Sequence, residues 1–256
     1  EQKRIDAILD AALASIDATI ANTEKNLANA RELFDNYLEL VLMSDRWEWQ
    51  KLGNLCERVE YGSSAKSKTK GAVPVLRMGN IQNGGFVWDD LKYTDDEAEI
   101  RKYKLKHNDV LFNRTNSPEL VGKSAVYRSD RPAVFAGYLI RIHRKEEILD
   151  ANYLNYFLNS RIARDHGKSV MTSSVNQANI NGTKLKEYPI PAPRLSEQKA
   201  LVQSFDELLG EVGHLERIYE QKLSVLGELK RSLLQKAFSG ELTAVTAEKE
   251  ADEAVA

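Results

Sequence analysis

The chain has few of the residues that build disulfide-linked or metal-held folds. Its 256 residues include one cysteine, Cys56, and four histidines. A single cysteine excludes an intrachain disulfide framework and fits a reducing cytosol; as a side chain, Cys56 reads as a small buried hydrophobe. The scattered histidines and the lone cysteine make no metal-ligand spacing, so no metal site is expected. No apolar run approaches the length of a membrane span. No signal-peptide pattern stands at the start. The expectation is a soluble, cytoplasmic protein without membrane association. Catalytic signatures are also missing. There is no phosphate-cradling glycine loop ending in Lys-Ser/Thr, no Gly-x-Ser-x-Gly and no His-Glu-x-x-His. The Asn-Pro-Pro-aromatic motif of amino-group methyltransferases is missing, as is a glycine-rich methyl-donor loop. Glu228-Leu229-Lys230 has the spacing of a nuclease Glu-x-Lys, but it falls on a helical seam without a partnering Pro-Asp. No catalytic residue and no cofactor are therefore assigned to this chain.

What the sequence does have is a stretch that occurs twice. Residues 1–42 return, degraded, at 197–238. With an offset of 196, Glu1-Gln2-Lys3 falls on Glu197-Gln198-Lys199, and Asp10, Leu13, Glu24, Leu27, Glu32, Leu33 and Leu38 fall on identical residues. Registered identities over this length favour a repeat over two unrelated helices. In the first copy apolar or small residues recur at Ile5, Leu9, Ala12, Ile16, Ile20, Thr23, Leu27, Ala30, Phe34, Tyr37 and Val41. In the second they recur at Leu201, Phe205, Leu208, Val212, Leu215, Tyr219, Lys222, Leu226, Leu229, Leu233 and Ala237. Alternating steps of three and four give a narrow apolar stripe of the kind a coiled-coil partner buries. Ile16, Leu27 and Phe34 on one helix, and Val212, Tyr219, Leu226 and Leu233 on the other, are the expected interface. Helices of this length run roughly 60 Å and need a partner to cover the stripe. That partner is the other helix, a second copy of the chain, or both.

Charge divides along the same lines. Residues 46–193 hold 24 Lys and Arg against 17 Asp and Glu, a net +7, while the flanks together carry −9. A basic middle between acidic helices suits a polyanionic partner. The expected organisation is a long helix over 1–45, a globular domain over 46–193, a second long helix over 194–240 and a flexible tail over 241–256. The fold class is α+β: a mixed α/β domain inserted between two long helices that form an antiparallel coiled coil. Since residue 1 already lies inside the repeat unit, the chain reads as a piece of something longer.

Within the middle, Trp47 and Trp49 read as anchors between domain and helix. Leu52, Leu55, Cys56 and Val59 suggest a short helix or turn, and residues 61–71 a mobile basic loop. Val73–Ile81, Asp109–Arg114, Lys123–Arg128, Val134–His143 and Lys184–Ile190 read as strands, and Asn83-Gly84-Gly85 as a turn. Asp150 caps a helix carrying Tyr153, Leu154, Phe157, Leu158 and Ile162, with Gly167 beyond its end. Ser169–Gly182 is a polar loop, and Ser196 is placed to cap the second long helix.

The polar loops hold the side chains that suit DNA. Arg and Lys donate to guanine, Asn and Gln pair with adenine, and Ser, Thr and Lys hold phosphates. Arg77, Asn80, Arg114, Asn116, Ser174 and Asn176 are the candidates for base edges, and Asn83 and Gln177 are further candidates for DNA contact. Lys66, Lys68, Lys70 and Lys123 are the candidates for phosphates. Solvated loops, a scaffold whose globular domain binds protein, and a fragment of a nuclease or methylase are the competing readings.

Five stretches together resemble one family: Trp-Glu-Trp-Gln-Lys-Leu-Gly (47–53), Val-Leu-Arg-Met-Gly-Asn-Ile-Gln-Asn-Gly (75–84), Asp-Val-Leu-Phe-Asn-Arg-Thr-Asn (109–116) with Val-Gly-Lys (121–123), Pro-Ile-Pro-Ala-Pro-Arg-Leu-Ser-Glu-Gln-Lys (189–199) and Leu-Lys-Arg-Ser-Leu-Leu-Gln-Lys-Ala-Phe-Ser-Gly-Glu-Leu (229–242). They are similar to the specificity (S) subunit of type I restriction–modification systems. Such subunits carry two target-recognition domains and two helical conserved regions; this chain has one domain between two helices, so it resembles a half. The resemblance implies that the domain reads one half of a split double-stranded DNA target. It also implies that the helices set the spacing and dock methyltransferase (modification) subunits, with the restriction subunit joining through the complex. Methyl donor and ATP would belong to those partners. A half subunit can regain two heads by pairing its helices as a homodimer.

Overall fold

The computed structural model describes residues 2–174 and 177–239; for residues 2–6, 8 and 174 it describes the backbone. In chain order the elements are α1 (Gln2–Leu42), β1 (Trp49–Lys51), α2 (Leu52–Leu55), β2 (Cys56–Tyr61), β3 (Val73–Leu76), β4 (Ile81–Gln82), β5 (Gly85–Phe86), β6 (Lys92–Thr94), α3 (Glu97–Tyr103), β7 (Val110–Asn113), β8 (Thr115–Asn116), β9 (Ser124–Val126), β10 (Val134–Phe135), β11 (Leu139–Arg144), α4 (Ala151–Asn159), α5 (Arg161–Val170), β12 (Thr172–Ser174), β13 (Gln177–Asn179), α6 (Gly182–Lys186), β14 (Pro189–Pro191) and α7 (Leu195–Ser239). The chain divides into two units: residues up to Phe34 together with those from Glu207 onward, and Asp35–Asp206.

In the first unit α1 and α7 run antiparallel. Arg31 pairs with Glu216 at 3.2 Å and Glu220 at 3.0 Å, while Asp17, earlier on α1, meets Lys230, later on α7. Ile16, Leu27, Ala30 and Val212 are buried between them. Thr23 is buried as well, because its hydroxyl donates to the Thr19 carbonyl one turn back and so needs no outside partner. Phe34, Tyr219, Leu226 and Leu233 are half-buried on the same stripe. The expected seam of α7 needs one correction. Glu216, Leu223 and Lys230 are half-buried, whereas Leu215, Lys222 and Leu229 lie exposed. The same three–four spacing fits both rows. Val212, Tyr219, Leu226 and Leu233 stay in the covered row, while Leu215 and Leu229 belong to an open apolar stripe with Ile218 and Val225; the covered row also keeps charged Glu216 and Lys230, which pair with Arg31 and Asp17. Gly210, Gly213 and Gly227 stay inside the continuous helix.

The second unit is built on the antiparallel sheet β2-β11-β7-β9. Val110, Leu111, Phe112, Leu139, Ile140 and Ile142 are buried. α4 packs on β9 and β7 and contributes Leu154 and Phe157 to the interior. A second core gathers Val75, Leu76, Tyr103, Leu105, Tyr127, Val134 and Phe135 where β10 runs parallel to β3 and β6 pairs on its other side. β1 and β14 pair antiparallel, so the two ends of the domain lie side by side. Trp47 donates from Nε1 to the Val41 carbonyl at 2.7 Å, which ties the domain entrance to the end of α1; Trp49, in β1, is 37% exposed.

Several elements differ from the sequence expectation for local reasons. The strand expected over Val73–Ile81 breaks after Leu76, because Asn80 Oδ1 accepts from Arg77 N at 2.9 Å and closes a short 3-10 turn. The helix begun at Asp150 stops at Ser160, whose hydroxyl accepts from Ala163 N and starts α5, so Gly167 lies inside α5. Ser169–Gly182 contains two strands that pair antiparallel, β12 and β13, and the strand expected from Lys184 is the helix α6 followed by β14. Helix α7 begins at Leu195, before Ser196; Glu197 Oε2 accepts from Arg194 N at 2.9 Å there.

Candidate nucleic-acid interface

The interface begins with a close crossing of two backbones. Gly62 N donates to Leu139 O at 3.2 Å, Ser63 N to Phe135 O at 2.9 Å and Gly137 N to Ser63 O at 2.7 Å. A Cβ on Gly62 would stand 2.4 Å from both the Phe135 and Ala136 carbonyl oxygens, so only glycine permits this approach. The crossing fixes Tyr61 on one side and Tyr138 on the other, residues that are 42% and 50% exposed.

Arg114 lies between them. Its N donates to Tyr138 O at 3.0 Å, and its O accepts from Ile180 N at 2.9 Å. Nη1 donates to Gly137 O at 3.2 Å, and the guanidinium carbon sits 4.9 Å from the Tyr61 ring centroid. Arg114 leads into β8, which pairs antiparallel with β13, which pairs with β12. The register sets Asn116 beside Ala178, Thr115 beside Asn179, and Ser174 beside Gln177. The side chains of this small sheet are almost all polar. Asn179 Nδ2 donates to Thr115 Oγ1, and Lys184 Nζ to Thr172 Oγ1, both at 2.7 Å. The Tyr61 hydroxyl accepts from Gly182 N at 2.7 Å, joining the crossing to α6.

Of the residues singled out from the sequence, Arg114, Asn116, Ser174 and Gln177 are brought together by this register. Gln177 is exposed, and Asn116 Oδ1 accepts from Ser117 N at 2.9 Å. Asn176 lies outside the described residues. A second locus forms around the β4–β5 turn. Asn83 and Gly84 both have positive φ, the requirement of a two-residue hairpin turn. Asn155 donates to Gly84 O at 2.9 Å and accepts from the Ser124 hydroxyl at 2.8 Å, which ties the turn to the residue that follows Lys123. Lys66, Lys68 and Lys70 are exposed. Lys68 is not a loose loop residue: its backbone exchanges two bonds of 2.8 Å with Tyr93, and its Nζ pairs with Asp95 at 3.0 Å. The Ala72 backbone N–H, and then Lys68, hold the Asp95 carboxyl below its usual range.

Two candidates are engaged within the fold. Asn80 is 3% exposed, and its amide donates to Val87 O and Asp89 O while its oxygen holds Arg77 N. It fixes the loop that carries its neighbours, and its side chain is not presented to solvent. Arg77 donates to Asp90 through both backbone and carboxylate oxygens. Tyr61, Tyr138 and Lys184 belong to the site but escape sequence reading. The available signal is the pairing of an aromatic with a glycine, Tyr61-Gly62 and Gly137-Tyr138, on segments distant in sequence. Among the described residues no group of His, Cys, Asp and Glu is arranged to hold a metal ion.

Residues 44–221 match the family model described as the type I restriction modification DNA specificity domain. The putative type I restriction enzyme MjaX specificity subunit of Methanocaldococcus jannaschii is 29% identical over 208 residues, 78% of this chain and 47% of the relative. The EcoKI specificity subunit of Escherichia coli K12 is 28% identical over 188 residues, 72% of this chain and 40% of the relative. The chain thus spans about half the length of the curated relatives it matches. In fold it is similar to a solved structure from work on assembly and conformational transition of the type I R-M system, with TM-score 0.74, 20% identity and coverage of 93% of this chain and 59% of that one. It is similar also to the HsdS subunit from Thermoanaerobacter tengcongensis, with TM-score 0.63, 20% identity and coverage of 93% and 58%. With the family model covering most of its length, the chain belongs to the type I restriction–modification specificity-subunit family.

Proposed function

We propose that this chain reads one half of a split DNA target and does no chemistry itself. The observation that carries this reading is the polar sheet β12-β13-β8 with the Arg114 guanidinium at its edge, in a domain of net positive charge. Exposed Gln177 and partly exposed Asn116 offer amide pairs for base edges, and exposed lysines offer charge for phosphates. The long helices serve partners. Eight of the fifteen exposed large apolar side chains among the described residues lie on α1 and α7: Leu33 and Leu40 on the first, and Leu209, Leu215, Ile218, Val225, Leu229 and Phe238 on the second. Methyltransferase subunits dock on them, bringing the methyl donor, while the restriction subunit and its ATP chemistry join through the complex. A second copy of the chain, paired through the helices, supplies the second head and makes the target a split palindrome. The complex works in the cytoplasm. The test is DNA selection from a randomised pool, using the chain with its methyltransferase partner. The expected result is an enriched split palindrome whose binding weakens steeply with salt. One enriched half-site removes the homodimer and keeps the recognition. No enrichment, with salt-insensitive binding, replaces the proposal with a protein-binding scaffold.

A further inference from the structure

We infer that Arg114 reads a guanine in the half-site and that Tyr61 is the positioning residue that aims it. This rests on the DNA-reading proposal above and goes beyond it by naming the base and the device. Four arginines within residues 46–193 are not exposed: Arg77, Arg114, Arg141 and Arg144. Three meet carboxylates. Arg77 has Asp90, Arg141 has Glu60 and Asp109, and Arg144 has Glu146. Arg114 has none among the described residues. Its Nε, like those of Arg77 and Arg144, is buried without a hydrogen-bond acceptor, but here no carboxylate balances the charge. A partly buried cation without a counter-charge is costly, and the cost is offset if acceptors arrive with a ligand.

The setting suits a base edge better than a phosphate. A phosphate needs charge and tolerates a flexible stem, which the exposed lysines provide. Arg114 is instead held from several directions: its backbone by Tyr138 and Ile180, its Nη1 by Gly137 O, and its plane by the Tyr61 ring. Tyr61 is in turn held through its hydroxyl by Gly182 N. Nη2 and the second Nη1 hydrogen remain for a ligand. A planar donor pair fixed in orientation matches the O6 and N7 acceptors of guanine in the major groove.

The experiment uses the chain assembled with its methyltransferase subunit. Competition binding ranks the selected target against all single-base variants of it. Arg114→Ala should flatten the preference at one guanine, by about tenfold to hundredfold, and leave the other positions unchanged. Arg114→Lys should keep more affinity than alanine yet lose the same guanine. Tyr61→Leu should lose that guanine too, and adding Arg114→Ala to it should cost nothing further at that position; Tyr61→Phe, which retains the ring, should keep it. Equal weakening on every sequence by Arg114→Ala would overturn the inference and leave DNA reading intact. A wild-type complex with no base preference would overturn both. If Tyr61→Leu fails to fold, the two Arg114 variants still decide.

Discussion

Arg141 and Glu60 face each other across β11 and β2, and two guanidinium nitrogens of Arg141, Nε at 3.0 Å and Nη2 at 2.6 Å, donate to one Glu60 oxygen. The same oxygen lies 2.9 Å from His143 Nε2, and Arg141 Nη1 reaches Asp109 at 2.9 Å. Arg141 is 5% exposed. Burial pushes the Glu60 carboxyl up, but the hydrogen bonds and charges of His143 and Arg141 together outweigh it and hold the group below its ordinary 4.5. A lowered folded value stabilises fully above the unfolded pKa, and that stabilisation is lost as pH falls through the folded value. Unfolding measured from pH 7 to pH 3 should therefore show stability declining below about pH 4.5. Glu60→Gln should flatten this acid limb and cost about 3 kcal/mol at neutral pH, because it leaves a buried guanidinium short of charge.

Glycine substitutions should separate according to what their Cβ meets. Gly62→Ala drives a methyl into two carbonyl oxygens 2.4 Å away. The backbones must part, so thermal unfolding should show a loss of about 3 kcal/mol or more. The same variant should disturb Arg114, whose Nη1 acceptor is the adjacent Gly137 carbonyl. Gly210→Ala has the opposite sign. It lies exposed in α7 with nothing within 4 Å of the added atom, and helix propensity alone should raise stability by about 0.5–1 kcal/mol.

These contrasts mark what the sequence could and could not tell. The long helices are legible because their seam is periodic and because one copy can be registered on the other. The covered row of α7 is legible only in part: Val212, Tyr219, Leu226 and Leu233 lie in it, but Leu215 and Leu229 join Ile218 and Val225 on the open side, and the covered row includes charged Glu216 and Lys230. The polar segments of the site are legible by composition, and Arg114, Asn116 and Gln177 stand in them. Their assembly is not, because β8 and β13 are short strands whose pairing spans sixty-odd residues of chain. Asn80 shows the limit at a single residue. Composition makes it a base reader, but its neighbours' backbone groups take every hydrogen bond its amide makes.

Gln198 should prove as costly to lose as a core leucine. It is fully buried at the start of α7. Its Oε1 accepts from Asp150 N, and its Nε2 donates to Ile148 O and Pro193 O, each at 2.8 Å. Asp150 is also the cap of α4, accepting from Asn152 N and Tyr153 N. One amide thus binds the exit segment, the start of α7 and the start of α4. Gln198→Ala strands three backbone groups, the Pro193 carbonyl in a buried bond and Asp150 N and Ile148 O in part-buried ones, and should cost about 3 kcal/mol in denaturant unfolding. Gln198→Glu keeps the acceptor but loses both donations, and should be no better. A loss under 1 kcal/mol for the alanine variant would mean that solvent reaches these groups.

The two rows of α7 give the last prediction, and it separates folding from docking. Val212 is 4% exposed in the covered row; Ile218 and Leu229 are 44% and 46% exposed in the other. Val212→Asp places a charge at a buried position on the covered side of the helix and should destabilise the pair by about 3 kcal/mol or more. Ile218→Asp and Leu229→Asp remain in water, so the melting of the isolated chain should shift by no more than a surface change does, about 0.5 kcal/mol. If the open row is where partners bind, these two variants should nevertheless fail to co-purify with the methyltransferase subunit, or should convert a homodimer to monomer by light scattering. Retention of both assemblies by the double variant would leave the row without a partner and move docking to Leu33, Leu40 and Leu209. Loss of stability in the isolated chain would instead mean that the row is covered within the protein itself.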